Sequence, residues 1–208
     1  MKINSSAIIS QNITIVYQAI DLASIDTRQL RSLVKDIKPA IIDMPDMLVA
    51  AYPPLPLIIQ FGDSRIRVTW QQETTELAAL IWETALSCHR LVTQHPVIAY
   101  GFNYGVGVTV DDASGSIGVL SVFDFDRTAL ESALDGQLEF LPRLQFQREG
   151  IHYDFIIERL DSQRMKILLN AHFAGSELPP VNALEASFRS QYDYGLSLLH
   201  RILEGRDQ

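Results

Sequence analysis

Apolar and polar positions alternate most strictly from Val97 to Val110, VIAYGFNYGVGVTV, where Ile98, Tyr100, Phe102, Tyr104, Val106, Val108 and Val110 share one parity and Gly101, Asn103, Gly105, Gly107 and Thr109 the other. Successive strand side chains point to opposite faces, so the segment predicts a central strand with one large apolar face and one nearly bare. Ile13, Ile15, Tyr17 and Ala19 alternate in the same way. Residues 57–61 and 65–70 flank Gly62-Asp63-Ser64 as the arms of a hairpin. In its second arm Ile66, Val68 and Trp70 fall on one face, and Arg65, Arg67 and Thr69 fall on the other, toward water or an acidic partner. A strand over residues 117–123 and a meander over 143–148, 151–160 and 164–173 complete the extended segments.

Spacing of three and four predicts the helices. Asp26 and Gln29 make a capping-box pattern ahead of Leu30, Leu33, Val34 and Ile37, and Pro39 stops that helix. Thr74 or Thr75 caps a longer one of about 18 residues, whose stripe runs through Leu77, Leu80, Ile81, Ala85, Cys88, Leu91 and Val92. Asp124 or Asp126 caps a short helix over residues 127–134. Asn182 and Glu185 open the last helix, with Leu184, Phe188, Tyr192, Gly195, Leu199 and Ile202 facing inward. The fold class is therefore α+β, a largely antiparallel sheet with two long amphipathic helices. It forms a single globular domain, residues 1–208, with sub-lobes 1–96 and 97–208 sharing one sheet. The order strand, short helix, strands, long helix occurs twice, over residues 13–92 and 117–203. Duplication of a strand-helix-strands-helix unit and convergence on a common layout both account for it.

Composition narrows the function classes. With 47% hydrophobic and 20% charged residues the chain is an ordinary folded domain. A net charge of −8, spread along the chain, argues against nucleic acid and anionic membranes as partners. Polar residues interrupt each apolar run near the N-terminus, so neither a signal-peptide core nor a spanning helix is expected. The single cysteine, Cys88, points to the cytoplasm.

Val68-Thr69-Trp70, ahead of a long helix, and Gly101-Phe102-Asn103-Tyr104, in a strand, resemble the short motifs of an uncharacterised bacterial two-lobe α+β family. That resemblance spans most of the chain and implies a fold but no activity.

One polar constellation emerges from strand register. A turn at Asp161-Ser162-Gln163 sets Glu158 opposite Lys166, Asp154 opposite Asn170 and His152 opposite His172. A tight turn at Glu149-Gly150 sets Gln147 beside His152 and Gln145 beside Asp154. His152, Asp154 and His172 are thus the candidate metal ligands, or a base with its orienting carboxylate. A solvated or interface-facing polar surface accounts for the same pattern, and no motif such as HExxH supports the metal. Cys88 falls on an apolar stripe, as a small hydrophobe does. Ser114 and Ser116 lack the frame of a nucleophile elbow. Asp124 and Asp126 form a DxD that a helix cap explains, and His89 and His200 lie toward solvent. Phe188, Tyr192 and Tyr194 with Tyr100, Phe102 and Tyr104 make either an aromatic core or an apolar pocket.

The expectation is a non-enzymatic protein-protein interaction or assembly module that binds another protein or itself and needs no cofactor. The alternative is a metal-dependent enzyme or metal-binding protein built on His152, Asp154 and His172.

Overall fold

The computed structural model describes residues 2–111, 132–133 and 141–204. These form one antiparallel sheet of nine strands: β1 (Ile3–Tyr17), β2 (Ala40–Met44), β3 (Met47–Ala51), β4 (Leu57–Gly62), β5 (Arg65–Trp70), β6 (Val97–Val110), β7 (Arg143–Arg148), β8 (Ile151–Arg159) and β9 (Arg164–Ala174). Their spatial order is β2-β3-β4-β5-β1-β6-β9-β8-β7. Helices α1 (Thr27–Leu30), α2 (Leu80–Arg90) and α3 (Val181–Leu203) join it. The architecture is α+β and mostly sheet. The strand over 117–123, Ser114, Ser116, Asp124 and Asp126 lie outside the described residues. Of the helix over 127–134, only 132 and 133 are described, and both are helical.

The strictest alternation does become a central strand. β6 pairs with β1 on one side and β9 on the other. Tyr100, Phe102, Tyr104, Val106, Val108 and Val110 are buried, but Ile98 is 52% exposed. Val16 pairs with Ala99 and Tyr17 with Val97, so Ile98 is an extra residue on β6 and the parity flips there. A second irregularity explains why alternation in β1 is legible only from Ile13. Ile8 pairs with Val106 and Ser10 with Gly105, leaving Ile9 as the extra residue. Ile8 on one side of the irregularity and Gln11, Ile13 and Ile15 on the other are all fully buried.

The long helix expected from residue 74 begins only at Leu80 and has 11 residues. Thr74 is drawn into a bridge with Ile8, in which each backbone N–H donates to the other residue's carbonyl at 2.8 and 2.9 Å. A little further on, the Ala78 N–H donates to Oε1 of the buried Gln11 at 3.0 Å. Sheet hydrogen bonds thus displace the first turns of the helix. The helix expected after Asp26 is likewise a four-residue segment. Asp26 does cap it, accepting from Arg28 N–H at 2.9 Å, but Asp36 turns into the left-handed region at φ 60° before Pro39 is reached. Asn182 lies inside α3, whose N-cap is Pro180.

Helices α2 and α3, of 11 and 23 residues, lie on one face of the sheet, over Ile15, Ile59, Phe61, Ile66, Val68, Phe102, Tyr104, Phe155, Ile167 and Leu169. They meet through Trp82 and Phe188, ring centroids 5.8 Å apart, with the Arg189 guanidinium 5.2 Å from the Trp82 ring. Phe188 also packs on Phe102 and Tyr104, and the Tyr104 hydroxyl donates to its carbonyl at 2.6 Å. Among the described residues no helix is long and apolar enough to cross a membrane.

Candidate functional site

The face of the sheet opposite α2 and α3 is where the polar strand positions gather. The meander sets its geometry. Its β7–β8 turn uses Glu149 at φ 53° and Gly150 at φ 81°, the left-handed pair that a two-residue hairpin requires. Its β8–β9 turn is closed by Asp161, whose Oδ1 accepts from the backbone N–H of Gln163 and Arg164 at 2.9 and 2.8 Å. These turns produce the register read from the sequence: His152 opposite His172, Asp154 opposite Asn170, Glu158 opposite Lys166, Gln147 opposite His152 and Gln145 opposite Asp154. Lys166 and Glu158 close an ion pair at 3.2 Å. His152, Asp154, Asn170, His172, Gln145 and Gln147 line an open depression of about 500 Å³, with Phe146 and Tyr153 at its margin.

Chemistry within the depression is constrained by its neighbours. Arg143 grips Asp154 with two hydrogen bonds, Nε to Oδ1 at 2.8 Å and the terminal nitrogen to Oδ2 at 2.6 Å. The carboxylate therefore faces a guanidinium instead of an imidazole. Neighbouring side chains of one sheet face stand roughly parallel. Among the described residues no three His, Cys, Asp or Glu side chains converge as a metal site would require. His152 and His172 do stand side by side, as two ligands of such a site would.

Two features of this face escape a strand-by-strand reading. Asn12, Asn103 and Asn170 form an amide ladder over three central strands: Asn170 Nδ2 donates to Asn103 Oδ1, and Asn103 Nδ2 donates to Asn12 Oδ1 at 2.7 Å. Thr14 Oγ1 donates to the same Asn12 oxygen at 3.2 Å. The row continues through strand pairing as Ile58, Thr69, Asn12, Asn103, Asn170, Asp154 and Gln145. Detecting the ladder requires the β1–β6 pairing, which joins residues 91 apart. Arg143 carries a nearer signal: it pairs with Ile156, two residues beyond Asp154, and so is a diagonal neighbour of that carboxylate.

The remaining candidates scatter. Cys88 is fully buried, and burial pushes its thiol far above the usual range, so no thiolate is available as a nucleophile. His89 is not simply solvated: its Nδ1 lies 2.9 Å from the Tyr17 hydroxyl, and burial and then Arg90 lower its pKa. His200 pairs with Glu204 at 3.1 Å. The aromatic set is core, except that Tyr192 and Tyr194 are half-buried; Tyr194 packs on Tyr153 at 5.2 Å under the Arg148 guanidinium at 4.7 Å.

No protein-family model matches the chain, and no curated protein matches it significantly.

Proposed function

We propose that the chain is a non-enzymatic protein-interaction or assembly module, presenting the helix-free face of its sheet and the β2 edge to another protein or to a second copy. The observation that carries this reading is the one-sided placement of α2 and α3. It leaves the opposite face of nine strands, ~38 Å across at ~4.8 Å per strand, without a covering helix among the described residues. Antiparallel sheets tolerate one wet face, and this one mixes polar rows with apolar side chains such as Ile42, which is 57% exposed. The two edges differ as well. β7 carries Arg143 and Arg148, which discourage pairing, whereas β2, Ala-Ile-Ile-Asp-Met, has a single charge. The cytoplasm is the setting that the lone, buried Cys88 suits.

The strand order also supports reading the chain as two copies of one plan, each ending in an amphipathic helix. β1 and β6 lie at the centre; the last strand of each half, β5 or β9, pairs back onto it; and α2 or α3 follows. On this reading the repeat begins at β6, not at residue 117, and Asn12 and Asn103 are equivalent positions facing each other. Such pseudosymmetry suits an assembly module, since it presents related surfaces on both sides of one axis.

Site-specific photo-crosslinking tests the functional reading. A photoreactive residue at Gln60, on the open face, should give adducts that the same residue at Ser190, on the exposed side of α3, does not. Equal yields at both positions, or none at Gln60, would overturn it. The cross-strand His152–His172 pair favours a second reading, a metal site, with Gln145, Gln147 or solvent completing the ligand set.

A further inference from the structure

The open face is chemically lopsided. On its β7–β9 side the guanidinium and ammonium groups are each answered by a carboxylate: Arg143 by Asp154, Lys166 by Glu158 and Arg164 by Asp161. On its β2–β5 side Arg65 and Arg67 have no carboxylate partner among the described residues, and Nε of Arg67 is buried without any acceptor. Arg67 pairs across to Thr14 and Gln60, and Arg65 to Val16 and Gly62. Along the row from Arg67 to the edge lie Gln60, Val49 and Ile42, with Ile58 one row away. No strand position on this half of the face carries Asp or Glu; Asp43 belongs to the opposite parity, and the turn residues Asp46 and Asp63 make no ion pair.

A guanidinium with a desolvated, unanswered Nε–H is costly, and a carboxylate from outside offsets that cost by pairing with the terminal nitrogens, which are not buried. Other cations, such as Arg31 and Arg90, also lack an ion pair, but among the described residues Arg67 alone has a charged nitrogen buried without a partner. We infer that this half of the sheet docks an acidic segment of another polypeptide, its Asp or Glu side chains on Arg65 and Arg67 and its flanking apolar residues on Val49, Ile58 and Ile42. The inference rests on the interaction reading above and names the chemistry of the partner. Arg65 and Arg67 are two residues apart on one strand, hence ~6.6 Å along it. Carboxylates at i and i+2 of a strand, or i and i+4 of a helix, match that separation. A polyphosphate backbone fits less well. It needs a run of cations, and the long-range field of an acidic protein repels it. A second copy docked about a two-fold axis through the patch would set the arginines against themselves.

The test is a selection of random twelve-residue peptides displayed on phage, run against the full chain and against an Arg65→Glu/Arg67→Glu variant. Because neither arginine is ion-paired, the variant should melt within a few degrees of the parent; if it does not fold, Arg65→Ser/Arg67→Met, which retains the apolar stem at position 67, replaces it. The expected result is a pool in which Asp or Glu sits beside Leu, Ile or Val. Its members should bind the variant at least about tenfold more weakly and weaken with salt. A neutral or basic pool, or equal affinity for both proteins, overturns the acidic partner. Adducts at Gln60 in the crosslinking experiment would then leave the interaction reading standing. An empty selection together with no adducts at Gln60 overturns both. A twelve-nucleotide single-stranded DNA that bound the parent and not the variant would replace the peptide with nucleic acid and overturn this inference too.

Discussion

Gly195 sits in the middle of α3, where glycine costs a helix about 1 kcal/mol relative to alanine. Propensity alone therefore makes Gly195→Ala stabilising. The structure gives the opposite sign. A Cβ at this position would fall on Cδ2 of Leu169, with Cγ 3.4 Å and Cδ1 3.8 Å away. Leu169 is 4% exposed and is held between Tyr104 and Phe155 on the adjacent strands. The free volume lined by these residues and Leu199 is about 10 Å³, at the threshold for one water, so the displaced methyl has no vacancy to enter. Overpacking of this kind costs about 1–3 kcal/mol, and subtracting the propensity gain leaves a net loss of up to about 2 kcal/mol. For a chain of this size each kcal/mol lowers Tm by roughly 2–4 °C. The decisive comparison is the double-mutant cycle. Leu169→Ala alone should cost about 2–5 kcal/mol, but in its background the methyl introduced by Gly195→Ala enters the vacated space, and that substitution should then stabilise by about 1 kcal/mol. Urea titrations with unchanged m-values measure all four proteins. A Gly195→Ala chain more stable than the parent, or the same increment in both backgrounds, would refute the close approach of α3 to the sheet.

Phe102 is fully buried against Phe188 and Phe173, so Phe102→Asp should abolish the cooperative melt by placing an unpaired charge in the core. An unchanged melting curve would contradict the central position of β6. Zinc or manganese should leave Tm unmoved, whereas a ligand at 100 times its Kd adds ~2.7 kcal/mol; a saturable rise lost in His152→Ala and His172→Ala would restore the metal reading. Glu204 accepts from the backbone N–H of Ile3 and pairs with His200, and these contacts, the backbone bond foremost, hold its carboxyl below the usual range. A depressed folded pKa gives stability that is present above the unfolded value and lost as pH falls through the folded one. Glu204→Gln should therefore lower Tm at pH 7 and leave it nearly unchanged at pH 3; an equal effect at both would show that its charge is not what ties α3 to β1.

The parts of the fold legible in the sequence are those with one periodicity and a local turn. From Tyr100 to Val110 β6 keeps period two because that side is core, and the meander is readable because Gly150 and Asp161 set both its registers. What is not legible depends on distant partners. Residues 74–79 have helical spacing, yet Ile8 and Gln11 of β1 take up their backbone groups, a competition visible only once β1 is known to pass beside them. The extra residues Ile9 and Ile98 break parity in the two strands that pair with each other, so each strand read alone has a false end.

The candidate site follows the same logic, one level up. Register places His152, Asp154 and His172 together, but register reports which Cα atoms are neighbours and not what each side chain binds. Arg143, reaching diagonally, decides that Asp154 is held in an ion pair. The same criterion applied to every charge on the open face separates it into two chemistries. The half with the more conspicuous residue types, imidazoles and carboxylate, is largely self-satisfied, while the half that resembles plain scaffold retains Arg65 and Arg67 with no carboxylate to answer them among the described residues. Internal ion pairs must be broken before such groups can serve a partner, and breaking them costs what they contributed. Unanswered groups carry no such cost, which is why the arginine half is the surface where binding an outside carboxylate gains most.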